Sequence, residues 1–272
     1  MTDKEIDQAT NERLTRKRRR ETLEKTGYLV ASFVLVAVFW ETARAVNLVN
    51  PKLFPSIASV FSASLALLKD GTLQAHIYSS FVRVMTGFSL GIVMAVVLGF
   101  LIGWFKAVRL LLDPIINFFR ALPPIALIPM MIIFFGIGET SKIVVLTYAS
   151  FFPALVVIYQ ALVGLEPIYV RVARSLGATN REMFRRVILP QLIPNIITAC
   201  RVSLGVCWAT LVAAELIAAQ KGIGAMMVEA QNFFQMPPLV LGIVLIGAIS
   251  LIMDGLVRLV ERKMTAWQEK LS

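Results

Sequence analysis

Long apolar runs alternate with short polar, mostly basic segments along nearly the whole chain. Crossing a hydrocarbon core takes roughly 20 apolar residues at a rise of about 1.5 Å each. Six runs meet that need: Tyr28 to Val46, Phe81 to Trp104, Leu112 to Phe135, Ile143 to Val163, Ile196 to Ala219 and Leu239 to Leu259. The pattern predicts an all-α polytopic membrane protein with six transmembrane helices. Pro123, Pro124 and Pro129 withhold backbone donors from the third run, which is therefore expected to bend or break. Between the first two runs, residues 51–69 place Leu53, Phe54, Ile57, Val60, Phe61, Leu65 and Leu68 at helical spacing among serines. That pattern predicts an outer interfacial helix rather than a span. In the second run Gly87, Gly91, Ala95, Gly99 and Gly103 recur at every fourth position, so another backbone is expected to come close along that stripe.

Composition points the same way: 57% of residues are hydrophobic and 16% charged, against about 45–50% and 25% in soluble domains. The formal charge of +10 could suit nucleic acid, but its placement suits a membrane. Lys and Arg crowd into the N-terminal tail, the Lys106 and Arg109 turn, the 164–190 loop and the C-terminal end. The alternate segments hold only Arg44, Lys52, Lys69, Lys142 and Lys221. By the positive-inside rule both termini are cytoplasmic. The expected layout is a cytoplasmic basic tail over 1–27, a first transmembrane helix over 28–46, the interfacial helix over 51–69, a membrane domain over 74–260 containing a cytoplasmic loop at 164–190, and a cytoplasmic tail over 261–272. Arg16 to Arg20 followed by an apolar run and Ala43-Arg44-Ala45 could instead be a signal peptide. The long charged leader, with Glu41 and Arg44 on the exit side, favours an uncleaved first span.

Candidate chemistry is sparse. His76 is the lone histidine, which removes His-based catalysis and clustered His metal sites. Cys200 and Cys207, seven residues apart on one helix, sit about 10 Å apart, beyond disulfide reach. The chain has no Gly-x-x-x-x-Gly-Lys-Ser/Thr loop and no catalytic constellation, so it is not expected to be an enzyme, and any use of ATP would fall to another chain. Ionisable groups inside spans are costly and are usually functional or paired, which singles out Arg83, Arg120, Arg201 and Glu215. Arg120 directly precedes Pro123 and Pro124, the expected break, and Arg120, Arg83, Glu215, Pro123 and Pro124 are the translocation-pathway candidates. A guanidinium offers an anion permanently charged, planar donors. The alternative is that Arg83 and Arg120 reach the outer and cytoplasmic headgroups, while Arg201 and Glu215 are structural. Arg201 and Glu215, 14 residues or about 21 Å apart, cannot pair within one helix.

The loop at 164–190 is the most informative segment. Two short amphipathic helices would put Val170, Ala173 and Leu176 on one apolar stripe and Met183, Phe184 and Val187 on the next, with Gly177 free to turn the backbone between them. Such a loop is a shaped knob suited to a soluble partner. Ala173, Gly177, Leu189 and Pro190 fall at the spacing of Glu-Ala-Ala, three residues, Gly, nine residues, Ile-x-Leu-Pro, with Val187 in place of Ile. In this the loop resembles the EAA signature of binding-protein-dependent ABC transporter permeases. Arg171 and Val172 depart from the Glu-Ala start, so the family's glutamate contact to its ATPase does not carry over. The resemblance implies a docking surface for the ATPase made by Arg171, Ala173, Arg174, Gly177, Ala178, Thr179, Glu182, Leu189 and Pro190.

Two further segments narrow the branch. Leu122-Pro123-Pro124-Ile125-Ala126-Leu127-Ile128-Pro129 and Phe135-Gly136-Ile137-Gly138-Glu139-Thr140-Ser141-Lys142-Ile143 resemble the nitrate, sulfonate, taurine and bicarbonate permeases. The latter segment and Thr210 to Ala219 look closest to taurine permeases. The resemblance implies a type I ABC importer permease fold in a bacterial inner membrane. It also implies two permease copies with two ATPase subunits that carry ATP and Mg²⁺, a periplasmic binding protein that delivers a small anion, and no cofactor on this chain. Membrane lipid is the remaining expected partner, and no nucleic acid is expected. Nitrate, bicarbonate or a pyrimidine precursor would suit the same architecture. A secondary transporter needing no ATPase would leave the basic knob unexplained.

Overall fold

The third apolar run, broken by its prolines, is the landmark of the fold. A computed structural model describes residues 24, 27–28, 30–46, 48, 50 and 53–265. Most of the basic tail and residues 266–272 of the C-terminal tail lie outside the described residues, among which there is no strand. The described residues fall into two units, one up to Ser62 and one from Ala63 onward.

In the first unit, residues 30–45 form α1, with residue 29 of the expected first span outside the described residues. The chain then folds back on itself. Trp40 Nε1 donates to the Pro55 carbonyl at 2.9 Å, and the Trp40 and Phe54 rings lie 4.4 Å apart. The Glu41 carboxylate accepts from the Ile57 N–H at 2.8 Å. Ile57 opens α2 (Ile57–Lys69), so Glu41 satisfies a donor that a helix start leaves free. Ile57, Phe61, Leu65 and Leu68 lie on one exposed apolar face of α2, as an interfacial helix requires.

The second unit is built on α3 (Thr72–Trp104) and α6 (Glu139–Val163). The small-residue stripe is their seam. A Cβ at Gly87 would lie 2.5 Å from Leu146, at Gly91 2.1 Å from Ser150 Oγ, at Gly99 2.8 Å from Ile158 and at Gly103 2.2 Å from Leu162. Each glycine meets the residue 59 positions on, so the two helices run parallel. The chain between them must therefore cross back. It does so as α4 (Lys106–Ala121), a 3₁₀ turn (Pro124–Leu127) and α5 (Ile128–Phe135), bent by 86°.

The knob follows as α7 (Pro167–Ser175) and α8 (Asn180–Met183). The second short helix of the expected pair is not separate. It runs through a π-helical segment (Phe184–Ile188) into α9 (Leu189–Ala218), giving one continuous 39-residue rod. Pro190 explains the widening: it has no N–H for the Arg186 carbonyl and its ring crowds that group, and the Leu189 N–H bonds Phe184 five residues back instead. The short α10 (Ile223–Asn232) and the long α11 (Met236–Met264) complete the unit. Among the described residues, four helices are long and apolar enough to cross a membrane, and the bent pair makes a fifth if it is one span.

Candidate functional site

At the knob end, α7 closes in a Schellman motif. The Gly177 N–H donates to the Arg174 carbonyl and the Ala178 N–H to the Ala173 carbonyl, both at 3.0 Å, with Gly177 at φ +77°. Glycine is favoured there because a side chain resists that backbone region, although the space around it is open. Two residues on, a capping box starts α8. The Thr179 hydroxyl accepts from the Glu182 N–H at 3.3 Å, and the Glu182 carboxylate accepts from the Thr179 N–H at 3.1 Å. Ala173, Met183 and Ile188 bury against Leu162 and Leu192, anchoring the knob to α6 and α9.

Arg171, Arg174, Thr179 and Glu182 are exposed, Ala178, Leu189 and Pro190 half-buried. Leu176 departs from the expected stripe: it is 81% exposed, because it is the residue after the last turn of α7 and swings away from Val170 and Ala173. It instead extends an outward face with Ile168 and Val172, each about half exposed.

Arg120 sits in the last turn of α4, exposed, directly before the break. Pro123 lacks the N–H that would have bonded the Phe119 carbonyl in a continued helix, and Tyr148 donates its hydroxyl to that carbonyl. Tyr148 lies nine residues into α6, about 14 Å along it. The break marked by Pro123 and Pro124 is thus deep within the span, where loose backbone is tolerated only against protein or a cavity.

At the opposite end the structure brings together Arg83 and Glu215, placed apart in the sequence. Glu215 is 1% exposed and accepts from Arg83 at 2.7 Å, Ser80 Oγ at 2.8 Å and the Gly224 N–H at 2.9 Å. Gly222 makes room for it, since a Cβ there would lie 2.4 Å from the carboxylate. The start of α10 presents its free donors to this pocket, the Ile223 N–H reaching Ser80 Oγ and the Gly222 N–H reaching His76 Nδ1.

Arg83, 5% exposed, does not reach outward to headgroups. It also grips Glu139 with Nε at 2.5 Å and Nη2 at 2.7 Å, and donates to the Lys221 carbonyl. Lys142, 5% exposed, meets Glu139 at 3.1 Å. A cavity of about 530 Å³ opens beside these groups, lined by Tyr78, Ser79, Arg83, Glu139, Lys142, Ile143 and Lys221 among others. Arg201 is elsewhere, paired with Asp254 at 2.9 Å and Glu261 at 3.5 Å on α11. Sequence reasoning missed Glu139, Lys142, Ser80 and His76 as members of the cluster. Lys142 reads as a loop cation because the start of α6 is not visible in the apolar pattern, and Glu139 sits in a Gly-Ile-Gly-Glu stretch that reads only as a resemblance.

The model of the binding-protein-dependent transport system inner membrane component matches residues 87–266. A probable ABC transporter permease protein of Brucella abortus (strain 2308) is 39% identical over 244 residues, 90% of this chain and 96% of that protein. The taurine transport system permease protein TauC of Escherichia coli (strain K12) is 36% identical over 239 residues, 86% of each. The fold is shared with the solved structure described as an amino acid ABC transporter with histidines, at a TM-score of 0.61 and 19% identity over 73% of this chain and 97% of that one. The chain belongs to the inner-membrane permeases of binding-protein-dependent ABC transporters, in the branch whose members are named for taurine, aliphatic sulfonates and nitrate.

Proposed function

We propose that this chain is the translocating subunit of an ATP-driven importer for a small anion, taurine or another sulfonate. Two copies pair in the inner membrane with both termini cytoplasmic, two ATPase subunits holding ATP and Mg²⁺ dock on the knobs, and a periplasmic binding protein delivers the solute. The observation that carries the mechanism is the knob itself. Its turn is fixed by a Schellman motif and a capping box, and its second half is one rod with α9. A displacement applied at Thr179 to Glu182 is therefore delivered along that rod to Glu215 near its far end. Since Arg171 replaces the glutamate of the signature, the apolar face of Ile168, Val172 and Leu176 supplies the contact in its place.

The pathway follows the broken segment past Pro123 and Pro124. Arg120, a permanently charged donor at depth, meets the anion there. The choice of a sulfonate rests on the alignment with TauC over most of both chains. Uptake of labelled taurine, an alkanesulfonate and nitrate by the complete transporter tests it. Transport of taurine or the alkanesulfonate is expected, and transport of none of the three would remove the substrate class.

A further inference from the structure

The cluster at the far end from the knob sets two cations, Arg83 and Lys142, against two carboxylates, Glu215 and Glu139. Glu215 is fully served by Arg83, Ser80 and Gly224. Glu139 is different. Its side chain is 57% exposed, yet it engages Arg83 through both carboxylate oxygens and takes the Lys142 ammonium as well. That is the arrangement a bound oxyanion would adopt: a planar two-point contact with a guanidinium plus a point charge beside it. Lys142 is 5% exposed, and its three N–H donors find one acceptor among the described residues, the Glu139 carboxylate. A buried ammonium held by a single carboxylate is costly to leave alone, so an anion must take that place whenever Glu139 leaves it. Glu139 also has freedom to leave. It follows Gly136, at φ +79°, and Gly138, and neither glycine has an atom packed where a Cβ would be.

We propose that Arg83 and Lys142 form an oxyanion seat in the permease, occupied by Glu139 when empty and by the solute's sulfonate when loaded. Loading exchanges one negative group for another, so the buried charges never lose their partner. The 530 Å³ cavity at this seat has apolar walls at Val82 and Ile143 for a short carbon chain. Taurine carries an ammonium two carbons from its sulfonate. The displaced Glu139 carboxylate lies beside it, so Glu139 also favours amino-sulfonates over plain alkanesulfonates. The seat rests on the reading above that the chain conducts a small anion.

The test uses the purified permease–ATPase complex without binding protein. A single cysteine replaces Ser79, which lines the cavity, in a Cys200→Ala and Cys207→Ala background, and its alkylation rate is followed against ethanesulfonate, taurine and an uncharged alcohol of similar size. Both sulfonates should slow alkylation and the alcohol should not. Glu139→Gln should tighten ethanesulfonate by about tenfold, the gain expected if the seat is free about a tenth of the time in the parent. Taurine should gain less, because it loses its carboxylate partner. Lys142→Gln should remove protection and Lys142→Arg should restore part of it. If Lys142→Gln fails to assemble, the Glu139→Gln comparison decides alone, since Glu139 is half exposed. Uptake by the complete transporter with no protection by any anion overturns the seat and leaves the proposed function standing. Protection by sulfonates in a transporter that imports none of them overturns the proposed function and keeps the seat. Weaker ethanesulfonate protection in Glu139→Gln overturns the exchange.

Discussion

Gly91→Ala isolates the seam between α3 and α6. The added Cβ would lie 2.1 Å from Ser150 Oγ, 2.7 Å from the Thr147 carbonyl oxygen and 3.0 Å from the Phe151 nitrogen. Ser150 could rotate away, although its hydroxyl contacts the carbonyls of Gly87, Leu146 and Thr147. The Thr147 and Phe151 backbone cannot, so the helices must part. Overpacking of this kind costs about 1–3 kcal/mol, and a gap of roughly 0.5–1 Å forfeits a quarter to a half of each neighbouring contact along the seam. Alanine returns up to about 1 kcal/mol through helix propensity. The net loss is about 1–2 kcal/mol, or roughly 2–4 °C in the unfolding midpoint for a chain of this size. Thermal unfolding of the purified permease measures it. Gly205→Ala and Gly247→Ala are the controls, since both are helical and nothing lies within 4 Å of the added Cβ, so their midpoints should hold or rise. A Gly91→Ala midpoint equal to or above those of the controls would refute the close approach of the two helices.

Three further outcomes are expected. Single cysteines at Asp70 and Gln220 should label from outside and one at Thr179 should not; Gly222 is avoided because a side chain there strikes Glu215. Outside labelling at Thr179 would reverse the topology. Gly177→Glu should insert normally yet lose ATP-driven uptake, whereas Gly177→Asn, which tolerates the left-handed region, should keep most of it; equal uptake by the two would move the docking contact away from the turn. Arg120→Gln should lower anion uptake several-fold without changing insertion, and unchanged uptake would assign Arg120 to the headgroups.

How much of this was legible beforehand differs from element to element. The stripe from Gly87 to Gly103 announced a close helix pair, because small residues at every fourth position have no other common use in a span. The partner helix and its parallel direction were not legible, since nothing in the apolar run around Leu146 and Ile158 marks the register. The prolines located the break correctly, but not Tyr148, whose hydroxyl serves the Phe119 carbonyl. The capping box at Thr179 and Glu182 went unread although its residues stand at the right spacing, and the continuity of α8 with α9 did not show, because Pro190 reads as a stop and the π segment absorbs it. Arg83 and Glu215 each stood out as a charge in an apolar run. Their pairing is a long-range event, separated by 132 residues, that no local pattern encodes.

The proposed function requires that this chain carry a small anion inward only when an ATPase works on its knob. Proteoliposomes holding the permease, its ATPase subunits and its binding protein, loaded with ATP and Mg²⁺ on the side of the ATPases, measure that directly through labelled taurine. ATP-dependent accumulation, absent when the ATPase subunits are left out, is the predicted result. Equal taurine uptake by the permease alone, without ATPase or ATP, would contradict it.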